Sequence, residues 1–126
     1  MRLQPTNRFN VEADPEIVAS FEVIREVTNG ITIDHTRVPA DSDGNRIIRI
    51  GMPMAKVTAS GKWVPYDPEG EDGSENPTVI LKRSINVKDG DHIVGGYEYV
   101  KVWAARLPVT VDAALREKMP HVVFAE

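Results

Sequence analysis

The stretch "DPEGEDGS" at 67–74 brings Asp67, Glu69, Glu71 and Asp72 close together. Carboxylates at that density could hold a hard cation through oxygen ligands. A calcium loop of the helix–loop–helix kind asks for Asp or Asn at its third and fifth positions and Gly at its sixth. Those positions here carry Glu69, Glu71 and Asp72. The spacing fits a solvated connector better, with Asp67-Pro68 and Asp72-Gly73 supplying turn angles and Pro65 and Pro68 stiffening it.

Other reactive chemistry finds no local support. His35, His92 and His121 are far apart, with no pair at zinc-binding spacing. The chain has no cysteine, which removes disulfides, thiolate ligands and thiol nucleophiles. Ser60 and Ser74 each adjoin a glycine, but neither sits in the G-x-S-x-G elbow. "VGGYEY" at 94–99 is not a dinucleotide loop. The carboxylates cluster in turns, where water keeps them ordinary acids, whereas an activated acid generally needs burial. The expectation is a protein without catalytic residues, cofactor or metal.

Composition narrows the partners. A net charge of −4 leaves no basic stripe to displace phosphate counterions, so nucleic acid is not expected. Lys82-Arg83, the one adjacent basic pair, reads as a solvated face. The opening "MRLQPTNRFNVEADPE" lacks the apolar run of a secretory signal. No stretch approaches the roughly 18 apolar residues of a membrane span. A soluble, single-domain protein is expected, whose 126 residues and 41% apolar content support only a small core.

The elements that must position these residues are mostly strands. Residues 1–16 read as a flexible arm in which Leu3, Phe9 and Val11 stand apart as apolar anchors. Residues 16–27 read two ways. Asp14 and Pro15 make a helix start, while Phe21, Val23 and Val27 followed by Asn29-Gly30 make a strand and a type I′ hairpin turn. Extended structure from Phe21 is the expectation. "RIIRIGMPMAKVTA" at 46–59 reads as a strand broken by Gly51 and Pro53. "SGKWVPYD" is a turn and a short strand, "TVILKRSINV" holds a buried strand, and "KDGDH" at 88–92 is a turn. In "IVGGYEYVKVWAARL", Tyr97, Tyr99, Lys101 and Trp103 alternate against Glu98, Val100, Val102 and Ala104, after a Gly95-Gly96 kink. Near the end, "TVDAALREKMP" at 110–120 is the one helix expected. Thr110 or Asp112 caps it, Leu115 and Met119 share a face, and Pro120 stops it. "HVVFAE" closes the chain as a strand. The sum is mainly β with one short C-terminal helix.

Trp63, Tyr66, Tyr97, Tyr99 and Trp103 carry polar tips on apolar bodies, a chemistry suited to a small core or to subunit contacts. Trp63 and Tyr66, flanking Val64-Pro65, could also form an aromatic ledge beside Asp67. That ledge is the platform a small virion-surface β-barrel module would use for carbohydrate or a receptor.

The segment "GMPMAKVTASGKWVPYDPEGEDGSENPTVIL" at 51–81 resembles the lambda-type head decoration proteins of tailed bacteriophages. It carries a short entry strand with Gly51-Met52-Pro53-Met54, then an aromatic strand ending in Asp, Lys62 to Asp67. A loop with Asp72-Gly73 and an aliphatic strand follow. Val79 stands where that family usually has Gly before Ile80-Leu81. "VGGYEYVKVWAARLP" and "ALREKMPHVVFAE" resemble its late strand, short helix and closing strand, so the likeness covers roughly residues 45–126. The resemblance implies a small β-tulip or barrel-like domain over 17–126 that forms a homotrimer, with 1–16 as an extended N-terminal capsid-binding arm. It further implies a cement role on the exterior of the expanded head. The trimer docks at three-fold positions, the arm pairs with the major capsid protein, and the shell is stabilised against packaged DNA.

Overall fold

Strand β6 (Pro77–Leu81) organises the molecule. Its Val79, Ile80 and Leu81 are all buried, and because successive side chains point to opposite faces they enter two different cores. Val79 and Leu81 join one cluster, and Ile80 joins the other. A continuous apolar run is what a strand covered on both faces requires.

In the computed structural model of this chain, residues 16–18 and 25–126 are described. The arm anchors Leu3, Phe9 and Val11, the Asp14-Pro15 helix start and the strand stretch Phe21–Ile24 lie outside them. In chain order the strands are β1 (Arg25–Glu26), β2 (Ile31–Ile33), β3 (Ile47–Ile48), β4 (Pro53–Lys56) and β5 (Trp63–Pro65). After β6 come β7 (Ile85–Asn86), β8 (His92–Val94) and β9 (Gly96–Trp103), then helix α1 (Ala113–Lys118) and β10 (Val122–Ala125). The main sheet runs β1-β9-β6-β4-β5-β2-β8, and β10 adds to β9 in parallel. A separate antiparallel ribbon of β3 and β7 contributes Ile48 and Ile85 to the first cluster, with Ile31, Ile33, Met54 and Val94. The second cluster takes Val100 and Val102 from β9, Leu107 from the following loop, Leu115 and Met119 from the α1 region, and Phe124 from β10. The sheet is therefore lined on one face by the ribbon and on the other by the helix.

This is the mainly-β chain with one short helix near its C-terminus that the sequence predicts. Among the described residues the sheet stays open and does not close into a barrel. No ladder among these residues joins its terminal strands β1 and β8. The helix forms as expected: Asp112 is the N-cap, its Oδ1 accepting from Leu115 N at 2.9 Å, and Leu115 and Met119 are buried. Prolines lie where a missing N–H is tolerated, opening β4 and β6 and ending β5.

Two expectations need correction. The Asn29-Gly30 turn exists, with Asn29 at φ 65 and Gly30 at φ 75, but no hairpin results. The turn closes from Gly30 N to Val27 O, so its central residues are Thr28 and Asn29, one position earlier than the Asn29-Gly30 pair of a two-residue hairpin loop. Accordingly β1 pairs with β9, and β2 pairs with β8 and β5. The alternation along β9 holds from Tyr99 to Ala104 but breaks at Tyr97. Arg25 faces Tyr99 and Glu26 faces Tyr97, leaving Glu98 as an extra residue on β9. Such a bulge reverses which side chains face which way. Tyr97 therefore packs in the same cluster as Val100 and Val102, while Tyr99 is exposed.

Gly96 lies opposite Leu81, and a Cβ there would stand 2.3 Å from Val79 Cγ1. Val79 thus fills space that only a glycine leaves open. Gly96→Ala is expected to cost about 1–3 kcal/mol in urea unfolding. The cost should shrink in a Val79→Ala background, giving clear non-additivity between neighbours. Equal costs in both backgrounds would contradict the contact.

Candidate functional site

Three parts of the surface carry groups that could act. The first is at the ends of β2, β5 and β8, where Asp34, His35, Lys62 and Asp91 meet. Asp91 follows the Gly90 turn before β8, and its carboxylate is shared. Oδ1 lies 2.6 Å from His35 Nδ1 and accepts from the His35 amide at 3.0 Å, while Oδ2 accepts from Lys62 Nζ at 2.6 Å. Arg46 Nη1 donates to the His35 carbonyl. The His35 side chain first, then Lys62 and the His35 amide, hold the Asp91 carboxyl well below the usual carboxylate range. The same contact raises Lys62. Asp34, His35 and Asp91 place one ligand atom each within 4.8 Å of one another, a spacing a metal could use. Both Asp91 oxygens already receive cationic or N–H donors, however, and Asp34 Oδ1 accepts from the Thr36 amide and hydroxyl. The arrangement acts as a charge clip that ties three strand ends together.

The second part is the acidic loop. Glu69 and Glu71 are exposed, as expected of a solvated connector. Asp72 corrects that expectation. It accepts from the Ser74 hydroxyl at 2.7 Å and from Arg37 Nη1 at 2.8 Å. These donors, Ser74 first, hold its carboxyl well below the usual range. Asp72 O accepts from Thr58 N, Asp67 N donates to Ser74 O, and Lys118 Nζ donates to Glu75 O. The loop is a built turn fastened to Thr58 just past β4, to the His35–Arg37 turn and to α1.

The third part is a seam in the main sheet. On one side β9 pairs with β6 at Gly96 and Tyr97, then with β10 from Val100 onward. Between those partners a cleft of about 300 Å³ opens, lined by Trp63, Thr78, Val79, Glu98, Tyr99 and His121. His121 spans it, its Nε2 2.8 Å from the Thr78 carbonyl, with its ring edge-on to Tyr99 at 5.6 Å between centroids. Glu98, the bulge residue, pairs with Arg25 at 2.9 Å.

The aromatics singled out in the sequence do not form one site. Trp63 packs on the first cluster and Tyr66 on the second, because they lie three apart on either side of Val64-Pro65. The Trp63–Tyr66 ledge is thereby ruled out. Tyr66 lies under Lys118 at 5.2 Å, Tyr97 is half-buried beside Lys82, and Trp103 carries Arg106 at 5.5 Å. Sequence reasoning missed the pairing of Asp91 with His35, and the meeting of Tyr99, Glu98 and His121. Only the bulge and the change of partner along β9 bring the last three together, and no local spacing signals either. The large apolar side chains left exposed among the described residues are Ile93 at 65%, Val123 at 55% and Tyr99 at 41%. Ile93 is on β8, which ends the sheet, beside a second cleft of about 460 Å³ that Lys82 and Arg83 help to line. Val123 is on β10, which among the described residues pairs only with β9.

Asp72 and Asp91 titrate lower folded than unfolded. Their stabilisation is therefore complete above the ordinary carboxylate range and is lost as pH falls through the depressed folded values. Urea midpoints measured from about pH 4 downward should fall less steeply in an Asp72→Asn, Asp91→Asn double variant than in the parent chain. Parallel slopes would contradict the role assigned to the two carboxylates. In comparisons with known proteins, no family model and no curated protein matches this chain.

Proposed function

We propose that this chain is a capsid decoration protein of a tailed phage, a homotrimer that binds the exterior of the expanded head at three-fold positions and cements it. Residues 1–16 serve as the arm that pairs with the major capsid protein. The observation that carries the reading is the placement of exposed apolar surface. Among the described residues, Ile93 and Val123 occupy strands that each pair on one side only, β8 and β10. A free strand edge is a template for another chain, and soluble proteins usually blunt it with charge. Here it carries aliphatic side chains, which suits strand addition and subunit contact. The order of elements that carries the sequence resemblance also supports the reading: β4, a turn, β5, the fastened acidic loop, β6, the long β9, α1 and β10.

The energetics favour such a partner. A domain with two small clusters is modestly stable alone and gains from association. Ordering an arm costs roughly 1–2 kcal/mol per residue in backbone entropy, so one arm binds weakly. Three arms on one symmetric body raise avidity by about a hundredfold or more once the first is seated.

The test is co-sedimentation with expanded empty heads and with procapsids, alongside light scattering of the free protein. The full chain should be trimeric and should sediment with expanded heads alone. Deleting residues 1–15 spares Glu16, whose carbonyl accepts from Arg106; it should leave the trimer intact and sharply reduce shell binding. Glu69→Ser with Glu71→Ser should change neither. Ile93→Asp should shift folding of the isolated chain by no more than about 0.5 kcal/mol while weakening trimerisation or shell binding. A monomer indifferent to both shells would overturn the proposal.

A further inference from the structure

We infer that the cleft at the β6–β10 seam is a binding site for a neutral saccharide ring, a role separate from capsid attachment. A pyranose presents two kinds of surface. One face of axial C–H bonds is apolar and flat, and the rim is a ring of hydroxyls that both donate and accept. A site for it needs a fixed aromatic wall, acceptors and donors around the rim, and little net charge.

The seam supplies each of these. Trp63 gives the wall, and its packing on the first cluster holds it in place before any ligand arrives. Binding then costs little side-chain ordering there. Tyr99, exposed at 41%, adds a second aromatic surface, and its ring is steadied by a T-shaped contact with His121. At the rim, Glu98 offers a carboxylate, Thr78 a hydroxyl and Tyr99 a phenolic O–H. A carbonyl only accepts, so His121 Nε2 carries the hydrogen given to Thr78 O, which fixes the ring across the cleft. The volume, about 300 Å³, is at the lower end of small-molecule sites and suits one ring rather than an extended ligand.

Charge selects among ligand classes. Aromatic walls beside a carboxylate could also form a cage for a quaternary ammonium group. Here Glu98 is already balanced by Arg25 at 2.9 Å, so the cleft does not call for a cation. A phosphate or carboxylate ligand would meet the Glu98 carboxylate, and none of the lining residues is Lys or Arg. A neutral polyol satisfies the rim without either penalty.

The experiment is an amide-detected NMR titration of the full chain. The probes are methyl glycosides of glucose, galactose, mannose, N-acetylglucosamine and N-acetylgalactosamine, with tetramethylammonium chloride as the cationic comparator. At least one glycoside should move the amides of Trp63, Thr78, Glu98, Tyr99 and His121 in a saturating way, and tetramethylammonium should not. Glu98→Gln keeps the shape and should raise that dissociation constant several-fold to about tenfold. Thr78→Val, at an exposed position, should also weaken binding, with the remaining spectrum unchanged as the check on folding. Failure of every glycoside to move the seam amides would overturn the inference. So would a response to tetramethylammonium alone, or binding unaffected by both variants. None of these outcomes touches shell binding, so the two proposals stand or fall separately.

Discussion

The double burial of β6 is the constraint from which the other placements follow. Val79 and Leu81 need cover on one face and Ile80 on the other, each worth about 1.5–3 kcal/mol when fully buried. The β3–β7 ribbon answers the first need, and α1 with the loop at Leu107 answers the second. Strands β4 and β9 then flank β6 in the plane of the sheet. With the centre satisfied in this way, the outer strands can be short. They end the sheet in open edges, and the charge clip at Asp91 and the Asp72–Arg37 contact fasten loops that few apolar contacts hold.

The same architecture shapes what the molecule can do. Strand β9 has eight residues and outlasts β6, so it takes β10 as a second neighbour on the same side. The bulge at Glu98 turns Tyr99 outward at the place where the neighbours change. The cleft is a consequence of that handover. The edges of β8 and β10, unpaired among the described residues, belong to the opposite logic: they offer pairing surfaces, and the proposed cement role uses many modest contacts where an enzyme would use one reactive centre. A clamp of this kind spreads its strength over symmetry-related copies, which lets each contact stay weak while the whole holds.

Much of the fold was readable from local chemistry. The Asp112 cap, the Leu115–Met119 spacing and Pro120 mark the helix because capping and periodicity are local properties. The run at Val79–Leu81 marks a strand covered on both faces for the same reason. The Asn29-Gly30 signal misled because its left-handed residues are real but the turn closes one position earlier. The alternation along β9 misled at Tyr97 alone, because a bulge depends on the partner strand and leaves no mark in the sequence around Glu98. Asp91 read as an ordinary turn residue, and its link to His35 spans 56 positions. The seam cleft draws its lining from β5, β6, β9 and the approach to β10. Side chains so distant in sequence cannot announce a shared site until the strand order is known.

The central claim, a symmetric clamp without a reactive centre, is tested most directly by imaging. Cryo-EM reconstruction of expanded heads incubated with the protein should show three-lobed density over the three-fold positions on the outer surface. Each lobe should fit the β1–β10 body, and a strand of each arm should run onto the capsid protein. A bare lattice, or density of single copies at unrelated positions, would contradict the account.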